Sequence, residues 1–301
     1  MRAAGMSDKT HKAQEPGISG RVLVLTLAAL GSFALNSLLC RAALGERLID
    51  APTFTLVRIA SGALVLQLIA RSRSRSSSGG SPLVLTDVAY SALALFLYAL
   101  PFSLAYLRIQ AGTGAFLLFG CVQITMIGHD LAHGRRLRWR EALGLAMAVS
   151  GLAWLTRPGS GSPDLTGVLL MVVSGLAWGV YSIRGRGAKD PLLTTARNFA
   201  AAVPLTLPWL VIAGGSRNEP LGFVLALFSG ALTSGLGYVA WYAAVPSLGA
   251  TRASIVQLGV PPLAAALGVL LLGEPLTSRL SIAAPLILGG IGIAVFAPKR
   301  A

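Results

Sequence analysis

The stretch TFTLVRIASGALVLQL, residues 53–68, returns in outline as LLTTARNFAAAVPLTL, residues 192–207. Thr55, Arg58, Ala63, Leu66 and Leu68 recur 139 residues later as Thr194, Arg197, Ala202, Leu205 and Leu207. The same offset carries Gly134, Leu137, Arg140 and Gly151 onto Gly273, Leu276, Arg279 and Gly290. Leu and Ala matches are cheap in an apolar chain. The Arg match is not, because Arg inside a membrane-spanning helix costs about 2.5–3.5 kcal/mol on insertion scales. The same unusual residue at the same place in two halves points to an internally duplicated membrane protein.

Composition agrees. Of 301 residues, 54% are hydrophobic and only 12% charged, about half the charged fraction of a soluble domain. Mean hydropathy is +0.71. The net charge of +14 would suggest nucleic acid in a soluble protein. Here the basic residues fall between hydrophobic runs, where they orient a chain in a bilayer, so a lipid partner is expected and nucleic acid is not. Cys40 and Cys121 form neither a disulfide nor a metal framework. Arg21 followed by the apolar run Val22–Leu39 has some features of a signal peptide. The run is long for that role, and a retained first helix is expected. Residues 1–20 read as a polar, disordered tail on the cytoplasmic side.

Ten apolar runs are near the length a bilayer demands: 22–40, 53–70, 83–106, 112–131, 141–156, 165–184, 192–213, 221–245, 250–273 and 279–297. With the N-terminus in the cytoplasm, 17 of the 25 Lys and Arg residues lie inside and 6 outside. The remaining two are Arg58 and Arg197. This split places both termini in the cytoplasm. Ten spans in two copies give five per copy. Five is odd, so the second copy enters from the opposite side. The expected fold is an all-α integral membrane protein of ten transmembrane helices, arranged as two inverted five-helix repeats over 21–157 and 164–298.

Further residues carry a family resemblance. They are Pro261-Pro262, then Leu271-Leu272-Gly273-Glu274-Pro275-Leu276-Thr277, then Gly289-Gly290-Ile291-Gly292, with Gly175-Leu176-Ala177-Trp178-Gly179 in the sixth span. They resemble the L-x-G-E-x-L-T signature and glycine-rich last helix of the drug/metabolite transporter superfamily, and within it the EamA-type ten-helix transporters. The resemblance spans about residues 18–297. It implies a secondary transporter, an exporter of small metabolites such as amino acids or related compounds, working by alternating access in the bacterial inner membrane. It also implies a central cavity walled by the first, third, fourth, sixth, eighth and ninth spans. The first half departs from the signature: Gly134-Arg135 stands where the second has Gly273-Glu274, and Gln123 where the second has Pro262.

The candidate substrate-binding residues are Asn36, Arg58, Gln123, Trp178, Tyr181, Arg197, Tyr238, Trp241 and Gln257. Arg58 and Arg197 either face a cavity and hold an anionic group, or snorkel from near a helix end. Asn36, Gln123 and Gln257 are mid-span carboxamides, which need protein or water partners. Phe33 and Asn36 correspond to Trp178 and Tyr181 at a shifted offset; these rings line a path or anchor at the interface. Phe102 and Tyr106 match Tyr238 and Tyr242, each pair on one helix face, with Trp241 adjoining.

His129, Asp130 and His133 form the sharpest chemical cluster. The i, i+4 histidines suit a metal, but a solvated helix end is the simpler reading. No metal and no cofactor is expected. The chain has no phosphate-binding G-x-x-x-x-G-K-[ST] motif. None of the acidic residues falls at a predicted bilayer midplane. An intramembrane enzyme centred on the histidines and a non-transporting scaffold are the competing classes; inverted duplication favours transport, and no enzyme is expected. The small residues Gly144, Ala148 and Gly151, with Gly290 and Ala294, predict close helix contact, one candidate place being the seam of a homodimer. Prolines in the spans, Pro261-Pro262 among them, predict kinks suited to alternating access.

Overall fold

The computed structural model describes residues 19–74, 85–134, 136, 138–185, 188–213 and 218–295. The expected N-terminal tail, most of the Arg71–Pro82 loop and Arg135 lie outside the described residues. Within them the chain is helical throughout, with no strand. The helices are α1 (Gly20–Gly45), α2 (Ala51–Ser74), α3 (Leu85–Tyr106), α4 (Ala111–Ala132), α5 (Trp139–Thr156), α6 (Leu165–Gly185), α7 (Pro191–Ala213) and α8 (Pro220–Phe228). A π-helical segment, Ser229–Leu236, continues α8 into α9 (Gly237–Gln257), and α10 (Val260–Leu272) and α11 (Ser278–Val295) follow. Six described helices are long and apolar enough to cross a membrane: α1 to α4, α6, and the composite running from Pro220 to Leu248. The fold is a multi-pass membrane bundle of ten spans, with α8, the π segment and α9 serving as the eighth.

Acidic side chains begin several helices. Asp50, Asp164 and Asp190 each accept the backbone N–H three residues on, from Thr53, Gly167 and Leu193, at 2.8, 2.8 and 3.0 Å. Each satisfies one of the donors that a helix start leaves free. These three carboxylates thus serve at helix starts, and Asp87, Asp130 and Glu141 likewise lie in the first or last turn of α3, α4 and α5.

The packing repeats the sequence duplication. α2 lies on α7 and α5 on α11, each against its own counterpart. α3 packs on α6 as α1 packs on α9, and α4 packs on α6 as α10 packs on α1. The relation holds residue by residue. A methyl group added at Gly144 would overlap the carbonyl oxygen of Gly290. Moving both positions by 139 gives Ala283 and Gly151, and a Cβ at Gly151 would sit 3.1 Å from the carbonyl oxygen of Ala283. The small residues therefore let α5 and α11 touch backbone to backbone within one chain, not at a subunit seam.

Three boundaries depart from expectation. α1 runs on to Gly45, past its expected end at 40. α2 runs on to Ser74, with Arg71 and Arg73 in its last turn. The turn expected at 246–249 is absent, and α9 continues to Gln257 with Pro246 inside it. A proline removes one hydrogen bond without obliging a helix to end. Pro261 and Pro262 sit instead in the first turn of α10, where N–H groups lack helical partners in any case. The ninth span is consequently short, and Gln257 closes α9 rather than lying in mid-span of the next helix.

Candidate functional site

The centre of the bundle is organised around Arg58 of α2. Its side chain is only 3% exposed. Nη2 donates to the Tyr98 hydroxyl of α3 at 2.7 Å, and Nε to Ser234 Oγ of the π segment at 3.5 Å. The guanidinium carbon lies 5.2 Å from the Tyr98 ring centre and 5.0 Å from that of Phe102. A hydrogen bond from a charged donor stabilises by about 1.5–3 kcal/mol, and a desolvated cation–π contact by up to about 2. Together these offset the cost of placing the cation here. Nη1 is buried with no hydrogen-bond partner. None of the ion pairs among the described residues includes Arg58. The snorkelling alternative therefore fails for Arg58, which is held at the core.

The backbone around it is unusually close. Gly230, in the π segment, packs on the carbonyl of Arg58 and the Ser61 hydroxyl, and any side chain there would collide with both. The wider turn of the π segment turns Ser234 and Thr233 toward α1 and α2. Asn36 of α1 accepts from Ser229 Oγ at 2.8 Å and Thr233 Oγ1 at 3.3 Å, tying α1 to the same segment.

Arg58 opens on a cavity that encloses about 40 Å³ accessible to water-sized occupants. α1 contributes Phe33, Asn36 and Ser37, α3 contributes Tyr98 and Phe102, and α4 contributes Leu118 and Phe119. Across from them stand Trp178 of α6, Thr233 and Ser234, and Tyr238 and Gln257 of α9. The rings form a continuous series: Phe102 to Tyr98 at 5.3 Å, Tyr98 to Trp178 at 4.7 Å, Trp178 to Tyr238 at 5.8 Å and Tyr238 to Phe33 at 5.7 Å. Walls of this kind, flat and apolar with few fixed polar groups, are typical of small-molecule sites.

Of the nine sequence candidates, Asn36, Arg58, Trp178, Tyr238 and Gln257 line the cavity. Tyr181, Trp241, Gln123 and Arg197 do not. Tyr181 stacks behind Trp178 at 5.2 Å, and its hydroxyl accepts from Asn198 of α7 at 3.5 Å. Trp241 packs with Ala29, Ala244 and Leu248 at the seam of α1 and α9. Gln123 is buried on α4, one turn beyond Phe119. Arg197 is half-buried on α7 and has no place in the wall. The wall was expected from the first, third, fourth, sixth, eighth and ninth spans. The first five of these contribute; no described residue of the ninth span, α10, does, because Gln257 belongs to α9, and α2 joins through Arg58.

Ser37, Tyr98, Leu118, Phe119, Thr233 and Ser234 are the lining residues that sequence reasoning overlooked. A signal existed for two of them. The face carrying Phe102 and Tyr106 extends one turn back to Tyr98, and the matching face carrying Tyr238 and Tyr242 extends back to Ser234. Both extensions contact Arg58. The rings on these faces are buried rather than part of an interfacial belt: Phe102 is 1%, Tyr106 0% and Tyr238 7% exposed.

The histidine cluster lies apart, at the end of α4. His133 Nδ1 lies 2.8 Å from the carbonyl oxygen of His129, and the two rings are 4.0 Å apart. Among the described residues no group of three His, Cys, Asp or Glu side chains could hold a metal.

The second half, residues 165–296, matches the model of the EamA-like transporter family. Over 283 residues the chain is 48% identical to an uncharacterized protein of Pseudomonas aeruginosa, covering 93% of this chain and 96% of the other. The chain belongs to the EamA-like transporter family. Two weaker relatives carry more specific names. A probable terminal-alkyne amino-acid exporter of Streptantibioticus cattleyicolor is 25% identical, covering 56% of this chain and 58% of its own. An aromatic amino acid exporter of Salmonella typhimurium is 24% identical, covering 51% of this chain and 56% of its own. A crystal structure of a further protein, 19% identical, superposes with a TM-score of 0.66 over 91% of this chain and 99% of the other, and supports the fold. In this EamA-like transporter the signature glutamate, Glu274, lies away from the cavity. It accepts the N–H of Ala111 at the start of α4 at 2.9 Å and pairs with Arg41 Nε at 3.0 Å.

Proposed function

We propose that this chain is a secondary transporter that exports small metabolites, amino acids or related compounds, across the bacterial inner membrane by alternating access. The observation that carries the reading is the cavity between the two inverted halves, walled by aromatic rings from both and holding one buried, incompletely paired guanidinium. Asn36, Arg58, Trp178, Tyr238 and Gln257 contact the substrate, with Arg58 meeting its anionic group. Tyr181 supports Trp178 from behind. A volume of about 40 Å³ holds water but not an amino acid. The halves must therefore part around the cavity to admit one, as alternating access requires. The exporter names of the two weaker relatives point to the same substrate class.

Both termini face the cytoplasm on this reading, following the Lys/Arg distribution. The five-helix repeats occupy 21–157 and 164–298. The small-residue face that was one candidate seam of a homodimer packs α5 on α11 inside the chain. Flux of radiolabelled amino acids in proteoliposomes tests the proposal. Saturable uptake or counterflow above protein-free vesicles is expected; none across an amino-acid panel would refute it.

A further inference from the structure

The cavity is charged in one direction only. Arg58 is buried, its Nη2 and Nε are engaged, and Nη1 alone has no partner. None of the described lining residues is acidic. Glu274, the carboxylate of the family signature, is occupied by Arg41 and by the backbone of Ala111. The other well-placed carboxylates, Asp50, Asp164 and Asp190, cap helix starts. A zwitterion entering this cavity would find a partner for its carboxylate and none of opposite sign for its ammonium.

Resting on the transport reading, we infer that the carboxylate is the group the site requires and the α-amino group is dispensable. The ligand class is then a monocarboxylate with a flat apolar body, whether or not it carries an amine. One free guanidinium nitrogen and a single positive charge match one negative charge. A dianion such as a phosphate monoester would keep a second charge unpaired, since no other cation lines the wall. The body of the ligand is set by Trp178, Tyr98 and Tyr238, with the Trp178 ring centre 4.7 Å from that of Tyr98 and 5.8 Å from that of Tyr238. A planar ring can slide between them as the halves separate.

Three probes that share a phenyl ring separate the two groups: 3-phenylpropionate has only the carboxylate, phenethylamine only the ammonium, and phenylalanine both. Binding to the purified wild-type protein is read by thermal stabilisation against concentration. Half-saturation for 3-phenylpropionate is expected within about threefold of phenylalanine, and at least about tenfold below phenethylamine. Arg58→Gln should abolish the advantage of the carboxylates, and Arg58→Lys should keep part of it. The wild-type series carries the test if either variant fails to fold. Tighter binding of phenethylamine, or binding of phenylalanine without 3-phenylpropionate, overturns the inference, and so does a wild-type protein that none of the three stabilises. Counterflow in proteoliposomes separates the two readings. A carboxylate that binds but is not carried leaves the site standing and refutes transport. An amine that is carried while the carboxylate is not leaves transport standing and refutes the site.

Discussion

Arg58 Nη2 and the Tyr98 hydroxyl, 2.7 Å apart, join α2 to α3 at the wall of the central cavity, and Nη1 of the same guanidinium is left unpaired. Tyr98 thus fixes the plane of the guanidinium and the direction in which its free nitrogen points. Tyr98→Phe keeps the ring and the cation–π contact but removes the hydroxyl. A hydrogen bond to a charged donor is worth about 1.5–3 kcal/mol. We expect KM for the transported solute to rise about tenfold, with expression near normal. Initial-rate flux in proteoliposomes is the measurement; an unchanged KM would show that Tyr98 does not orient Arg58.

The two repeat-related arginines should answer differently to the same change. Arg58 is buried at the cavity and Arg197 is half-buried outside it. Lysine keeps the charge and loses the planar fork. Arg58→Lys is expected to reduce kcat/KM by about tenfold or more. Arg197→Lys, away from the cavity wall, should stay within about twofold. Equal losses at both positions would mean that the duplicated arginine serves the repeat rather than the substrate.

What could be read without coordinates follows from what repeats. Span count, inversion and the Arg58 and Arg197 pair rest on period and spacing, and these survive in the packing of α2 on α7 and α5 on α11. The cavity was legible only in part. A carboxamide or arginine in lipid must face protein, which singled out Asn36, Arg58 and Gln257, but the same argument named Gln123 and Arg197, which face protein without facing the cavity. Burial and cavity lining are different conditions, and desolvation cost distinguishes only buried from exposed. The π segment was invisible, because Ser229–Leu236 reads as ordinary apolar helix, and the close seat of Gly230 against Arg58 is a contact between distant parts of the chain. The contact of Gly144 with Gly290 was foreseen as close packing, yet nothing in the sequence says which helix meets which.

Gly230 tests the π segment directly. A Cβ there meets the backbone carbonyl of Arg58, including its carbon at 2.8 Å, so a shift of one helix against another is required. Overpacking of this kind costs about 1–3 kcal/mol. Gly230→Ala should lower thermal stability in detergent and weaken solute binding by moving Ser234 off Arg58 Nε. Gly20 has open space at its Cβ, so Gly20→Ala is the control and should change neither.

Gly290→Leu tests where the small-residue face is used. A Cβ at Gly290 would lie 2.7 Å from the backbone nitrogen of Ala148 and overlap the carbonyl oxygen of Gly144. Because both belong to α5 of the same chain, the expected outcome is a loss of about 1–3 kcal/mol in stability with no change in oligomeric state. A seam between subunits would behave oppositely, with the association state changing and the melting point of the single chain unmoved. Light scattering alongside thermal unfolding reads both.

Glu274 and Arg41 form the last testable pair. The carboxylate takes Arg41 Nε at 3.0 Å and the Ala111 N–H at 2.9 Å, while Arg41 Nη1 donates to the Tyr106 carbonyl at 2.9 Å. One side chain of the second half thereby caps the first turn of α4 and anchors the end of α1. The side chains are 10% and 25% exposed, so the pair is partly shielded and worth more than a solvated one. Glu274→Gln keeps an acceptor for Ala111 and loses the charge that faces Arg41. Arg41→Gln loses the opposite charge of the same pair and the bond to Tyr106. Each is expected to cost about 1–2 kcal/mol. The double variant should cost less than the sum, by a coupling of about 1 kcal/mol, since the shared interaction can be lost only once. Because this contact ties the two halves together at one end, parting them there must break it. Both single variants should therefore increase accessibility of a cysteine placed at Ser37, in the cavity wall between them, to reagent from that side. Additive melting shifts, with unchanged accessibility at Ser37, would reduce Glu274 to a helix cap and leave the fastening of the halves to the apolar contacts.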